Sequence, residues 1–235
     1  MTENESLIEA IRKLDPAFTF VPKSSRWFTR LHERVFPKAA VILGHTCYYP
    51  EREAAENPTA YMAQLMAHEG MHLAQKLDFG AFGWNWRYAY PQGFAGILGL
   101  FGLVVGLVFG ITVSPLWGIL ATSGWMLPAI IQAVNVKAAS ARKIFELEAY
   151  TTLLLVLDIR PQRSLDDSKA FQAFLSYLEK TLDSRTYLWC GRNTQRQEIA
   201  NLLNKTMGRQ FTGELEWPCR AYSREWISTL GRIFS

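Results

Sequence analysis

With 235 residues, 49% of them hydrophobic and 20% charged, the chain is too apolar to be disordered and long enough for one full-sized core. Its net charge of +4 suits contact with anionic lipid headgroups, and the absence of any Lys/Arg run argues against nucleic acid. Three scattered cysteines, Cys47, Cys190 and Cys219, argue against a disulfide framework and fit a reducing compartment.

Glu3, Glu5 and Glu9 stand where a signal peptide would be apolar, so no secretory cleavage is expected. Residues 5–14 read as a short helix stopped by Pro16, and 38–44 as a buried or edge strand. Asn57-Pro58-Thr59 is expected to open a helix running to Leu77, with Thr59 as its cap. Phe82, Trp84, Trp86, Tyr88 and Tyr90 alternate with smaller or polar residues, which fits either an aromatic belt at lipid headgroups or a half-buried strand.

Between Arg87 and Lys137 there is no Asp, Glu, Lys, Arg or His, a gap long enough for two spans of roughly 20 residues. Phe94–Val113 carries Gly96, Gly99, Gly102, Gly106 and Gly110, which let a second helix approach closely. Ser114-Pro115 offers a turn, and Leu116–Val134 supplies the second stretch of a transmembrane hairpin. The same glycines could join copies of the chain into a homo-oligomer. Arg87 on one side and Lys137, Arg142 and Lys143 on the other put both hairpin ends on the cytoplasmic face. Beyond it, 137–158 reads as a helix, Ser164-Leu165-Asp166-Asp167 opens another to Thr181, and Gln195–Met207 forms a shorter one before an irregular tail. Arg192, Arg196, Lys205 and Arg209 are too diluted by Asp183, Glu198 and Glu214 to mark a nucleic-acid surface.

The chemistry lies in Ala67-His68-Glu69-Gly70-Met71-His72, an H-E-x-x-H pattern inside a predicted helix. At i and i+4 both imidazoles leave one face and can share a Zn²⁺ ion, with Glu69 beside them as general base. Gly70 costs about 1 kcal/mol relative to alanine inside a helix, which implies close approach by another group. A catalytic zinc needs a third protein ligand and an open position. Glu146 is the first candidate; Glu148, on the same predicted helix but pointing elsewhere, is the alternative. His45, just after the predicted strand, is a weaker one.

The two segments together resemble the gluzincin clan of metallopeptidases. They are also similar to small bacterial and phage-encoded metallopeptidases in which the first motif is followed by Gln, here Gln75, and the second reads Glu-x-Glu-Ala, here Glu146-Leu147-Glu148-Ala149. The resemblance covers roughly residues 38–152. It implies zinc ligation by His68, His72 and Glu146, with Glu69 as base. Where the clan has an Asp four residues after the ligand, this chain has Tyr150, which could take over that hydrogen bond or face the reacting carbonyl. Zincins place an edge strand before the motif helix, so Val41, Ile42 and Leu43 would bind an extended peptide by strand addition.

The expected fold is α+β and mostly helical: a zincin-like domain, with 1–90 and 137–235 as its two parts, interrupted by a transmembrane hairpin over 91–136. The expected function is hydrolysis of a peptide or protein substrate by a membrane-anchored zinc metallopeptidase. The alternative is a phage virion or lysis-associated membrane protein in which the zinc is structural or a relic.

Overall fold

A computed structural model of the chain describes residues 2–35, 37, 39–56, 58–90, 92–134, 140–157, 169–182, 199 and 221–234. It is mostly helical with one small sheet. Helix α1 (Glu3–Leu14) begins at a capping box formed by Thr2 and Glu5 and ends before Pro16. The strands are β1 (Thr19–Pro22), β2 (Val41–Leu43) and β3 (Thr46–Tyr49), and between β1 and β2 the chain passes through α2 (Trp27–Val35). β3 is central, parallel to β1 and antiparallel to β2. The β2–β3 turn needs a residue with positive φ, and Gly44 supplies it at 63°. β2 is therefore a sheet edge, three residues long where the sequence suggested seven.

After α3 (Glu51–Glu56) comes α4 (Pro58–Phe79), which carries the motif. Thr59 lies inside its first turn, so it is not the cap expected of it. α4 is buried on nearly every side between Ala63 and Gln75, because α1, α5, α8 and α10 all pack on it. Gly80, at φ 71°, lets the chain reverse into α5 (Ala81–Ala89). The aromatic stretch is thus a helix, and the strand alternative is wrong: Trp84 and Tyr88, four apart, stack on one face with centroids 4.8 Å apart.

Helices α6 (Gln92–Thr112) and α7 (Pro115–Val134) form an apolar pair. The two run close where side chains are small: Gly106 faces Thr122 and the Gly118 carbonyl, and Gly110 lies against Gly118. Leu100, Leu107, Ile111, Ile119 and Leu127 stay exposed. In α6 the stretch Gly93–Thr112 is long and apolar enough to cross a membrane, with only 17% of its most apolar window buried, whereas the apolar part of α7 is shorter, Pro115–Ile131.

Helix α8 (Ser140–Val156) returns to α4, α9 (Lys169–Leu182) shares an apolar cluster with α8, and α10 (Ala221–Ile233) packs on α4 and α1. α10 falls in the tail that the sequence left irregular. The expected helix over 195–207 and the opening at 164–167 lie outside the described residues. Leu7, Ile11, Cys47, Met66, Ala149 and Trp226 share one apolar cluster, so elements from both sides of the apolar pair build it together, beside a second cluster between α8 and α9. Trp226 fills the space that Gly70 leaves, and its indole N–H donates to the Ala67 carbonyl at 3.0 Å. This is the close approach that a glycine at that position implied.

Candidate metal centre

His68 and His72 project from one face of α4 toward α8. Their Nε2 atoms are 3.2 Å apart; Glu146 places Oε2 3.4 Å from His68 Nε2 and Oε1 3.5 Å from His72 Nε2. Four donors held about 2.0–2.1 Å from zinc at tetrahedral angles lie about 3.3 Å from one another. The three separations are of that size, and taking one atom per residue all three donors fall within 4.8 Å. Glu146 is fully buried, and its Oε2 has no hydrogen-bond partner among the described residues. Burying a carboxylate is expensive unless a cation, whether a metal ion or a protonated imidazole such as His68 beside Oε2, shares its space. The donor set therefore fits a metal ion.

The neighbours orient these donors. Gln75 is wholly buried, and its amide nitrogen donates to the Phe145 carbonyl at 3.1 Å and to Glu148 Oε2 at 2.9 Å. Both partners can only accept, so the amide has one orientation, with Oε1 turned to His72 Nδ1 at 2.9 Å. His72 must then carry a proton on Nδ1, which leaves the Nε2 lone pair of the neutral ring free for a metal. From α5 the Tyr88 hydroxyl donates a short hydrogen bond to Glu146 Oε1, and Arg142 holds Tyr88 by donating from Nε to its carbonyl at 2.6 Å.

Burial raises the Glu69 carboxyl above the ordinary range, opposed by the neighbouring histidines. Burial also disfavours charge on His72 and on Glu146, yet their attraction wins: His72 is pushed up and Glu146 well down. Burial, reinforced by Glu146, keeps the Tyr88 phenol protonated far above its usual range.

Above the group lies a cavity of about 1090 Å³, lined by Val41, Ile42, His68, Glu69, His72, Trp84, Glu146 and Tyr150 among others. The structure thus brings together seven of the residues singled out by sequence on α4, α8 and β2, and sets three apart. Leu43 points away from the cavity and is exposed. Glu148 turns to Gln75, outside the three-donor group, because two residues on a helix rotate by about 200°. His45 sits in the β2–β3 turn and binds Asp15 through Nδ1 at 2.7 Å. Tyr150 lies edge-on to His68, ring centroids 4.7 Å apart, and lines the cavity.

Comparison with protein-family models, curated proteins and solved structures finds no match.

Sequence reasoning missed Tyr88 as a partner of Glu146 and Trp84 as a cavity wall, edge-on to His72 at 5.9 Å. The signal was available: their i, i+4 spacing is helical, although the period of two in the surrounding aromatics masked it.

Proposed function

We propose that the chain is a zinc metallopeptidase held at a membrane by α6 and α7. The supporting observation is the convergence of His68, His72 and the buried Glu146 carboxylate on one point, with Glu69 beside them, under an open cavity. Structural zinc sites have four protein donors and are closed, whereas catalytic ones have three and keep a position open. Three donors facing a cavity of about 1090 Å³ favour the catalytic type over a staple or a relic in a virion or lysis protein.

When bound, zinc supplies Lewis acidity, acidifying a water and polarising a substrate carbonyl. Glu69 accepts the proton of the attacking water and passes it to the leaving amine, from a place beside the two histidines on the cavity wall. Gln75 and Tyr88 hold His72 and Glu146 in place. Tyr150, against His68, is positioned to meet the carbonyl oxygen. The edge strand β2 offers Val41 and Ile42 to an extended peptide.

Membrane attachment draws support from α6, whose 20 apolar residues span about 30 Å, the thickness of a bilayer core, and remain largely uncovered by protein.

Metal content and peptide cleavage, measured on the same detergent-purified samples, test the peptidase reading. Glu69→Gln should keep zinc and fold while losing at least about a hundredfold in turnover. His68→Ala should lose metal and turnover together. Wild-type turnover in both variants refutes the proposal.

A further inference from the structure

The cavity extends well past the metal group, and its charge is uneven. Gln64, His68, His72 and Lys76 recur every four residues on α4 and all line it, forming one ridge along the helix. At 1.5 Å per residue this ridge is about 18 Å long, room for about five residues of extended peptide at about 3.3 Å each. Among the described lining residues the carboxylates are Glu69 and Glu146, both on the floor beside the histidines. The lining lysines are Lys76, one turn beyond His72, and Lys180 on α9. Neither makes an ion pair among the described residues. Asp78, two residues from Lys76, is occupied elsewhere: it accepts from the backbone N–H groups of Tyr222 and Ser223 and from the Ser223 hydroxyl.

Resting on the peptidase reading, we propose that the Lys76 end of the cavity recognises a substrate carboxylate. The favoured peptides carry Asp or Glu, or the substrate's own C-terminal carboxylate, about two to three residues from the scissile bond. The spacing follows from the ridge: Lys76 lies about 6 Å along the helix from His72 and about 12 Å from His68, so about 9 Å from the point between them, the length of two to three extended residues. The rival role for both lysines is to complement the dipoles of α4 and α9, since each stands in the last turn of its helix. That role predicts no selectivity among peptides.

The test uses the full chain, zinc-loaded and in detergent. Glu69→Gln protein, which keeps the cavity and lacks the base, is titrated with fluorescent peptides matched except for Glu, Gln or Lys near the centre, each with a free or an amidated C-terminus. Wild-type protein is assayed for cleavage of the same set. Carboxylate-bearing peptides should bind about tenfold tighter, and be cleaved with about tenfold higher kcat/KM, than their Gln counterparts. Lys76→Met should erase the difference, and Lys76→Glu should shift preference to the Lys peptides. Loss of the preference on amidation assigns the carboxylate to the C-terminus; loss only on Glu-to-Gln exchange assigns it to a side chain. Binding that is indifferent both to Glu-to-Gln exchange and to amidation overturns the proposal and leaves the lysines as helix-end charges. If the Glu69→Gln protein binds acidic peptides through Lys76 while wild type cleaves none, carboxylate recognition stands and the peptidase reading fails.

Discussion

Replacing Gln75 by Leu should weaken zinc binding without touching a ligand. The side chain makes three buried hydrogen bonds: it accepts from His72 Nδ1 at 2.9 Å and donates to the Phe145 carbonyl at 3.1 Å and to Glu148 Oε2 at 2.9 Å. Leucine leaves the buried ring N–H without its acceptor and takes one donor each from the Phe145 carbonyl and Glu148 Oε2, at about 1–3 kcal/mol for the orphaned N–H and less for the other two. Stability should fall by about 2–4 kcal/mol, a large part of a typical domain's total of about 5–15 kcal/mol. With His72 no longer fixed in tautomer and orientation, zinc affinity should fall about 10- to 100-fold. Chelator competition measures the affinity, and circular dichroism sets the folded fraction at which variants are compared. Gln75→Glu supplies a control: it keeps an acceptor for His72 but sets a carboxylate against Glu148. Adding Glu148→Gln removes that repulsion and swaps donor for acceptor, so the double variant should recover zinc affinity over Gln75→Glu alone. A folded Gln75→Leu protein with wild-type affinity, or a double variant no better than the single, refutes this account of His72.

Glu146→Ala should lower zinc affinity more than about a hundredfold and Glu148→Ala less than about tenfold, because only the first stands among the three donors; the opposite order in chelator competition moves the third ligand to Glu148. Gly70→Ala gains about 1 kcal/mol of helix propensity, but its methyl would overlap the Trp226 ring and displace an indole hydrogen-bonded to Ala67, for a net loss of about 2–3 kcal/mol. In a Trp226→Leu background the same change should become neutral or stabilising, and thermal melts showing additive effects contradict this packing. If α6 and α7 cross the bilayer as a pair, Phe82→Cys and Ser140→Cys should react with impermeant thiol reagents from the cytoplasmic side and Ser114→Cys from the other; labelling of the first two from outside alone rejects that topology.

The site was legible in sequence as far as local spacing reaches. Two histidines four apart on a helix, a glutamate between them and a glycine needing a close neighbour are statements about one helical turn, and α4 carries them unchanged. Choosing Glu146 over Glu148 already needed a tertiary fact, which face of α8 meets α4, and helix periodicity supplied only that one of them could. What sequence left out involves partners distant along the chain: Tyr88 to Glu146, Trp226 to Gly70, and Glu148 to Gln75. The aromatic stretch before α6 carried two periods at once, and packing of Trp84 and Tyr88 on His72 decided between them. β2 came out shorter than expected because β3 pairs only Val41, Ile42 and Leu43. α10 escaped notice because its buried face, Trp226, Ile227 and Leu230, is little more than one turn of apolar residues in a polar segment, too short a periodic signal to mark a helix.

Trp226 reaches back to the carbonyl of Ala67 across 159 residues. At a synthesis rate of about 5–20 residues per second, that bond can close only about 8–30 s after Ala67 has been made. During that interval the motif helix exists with an open notch at Gly70, α6 and α7 emerge next, and the Glu146 helix follows them. A metal group ordered in this way cannot assemble until the apolar pair has been made, since Glu146 and the indole that braces the motif helix both follow it along the chain.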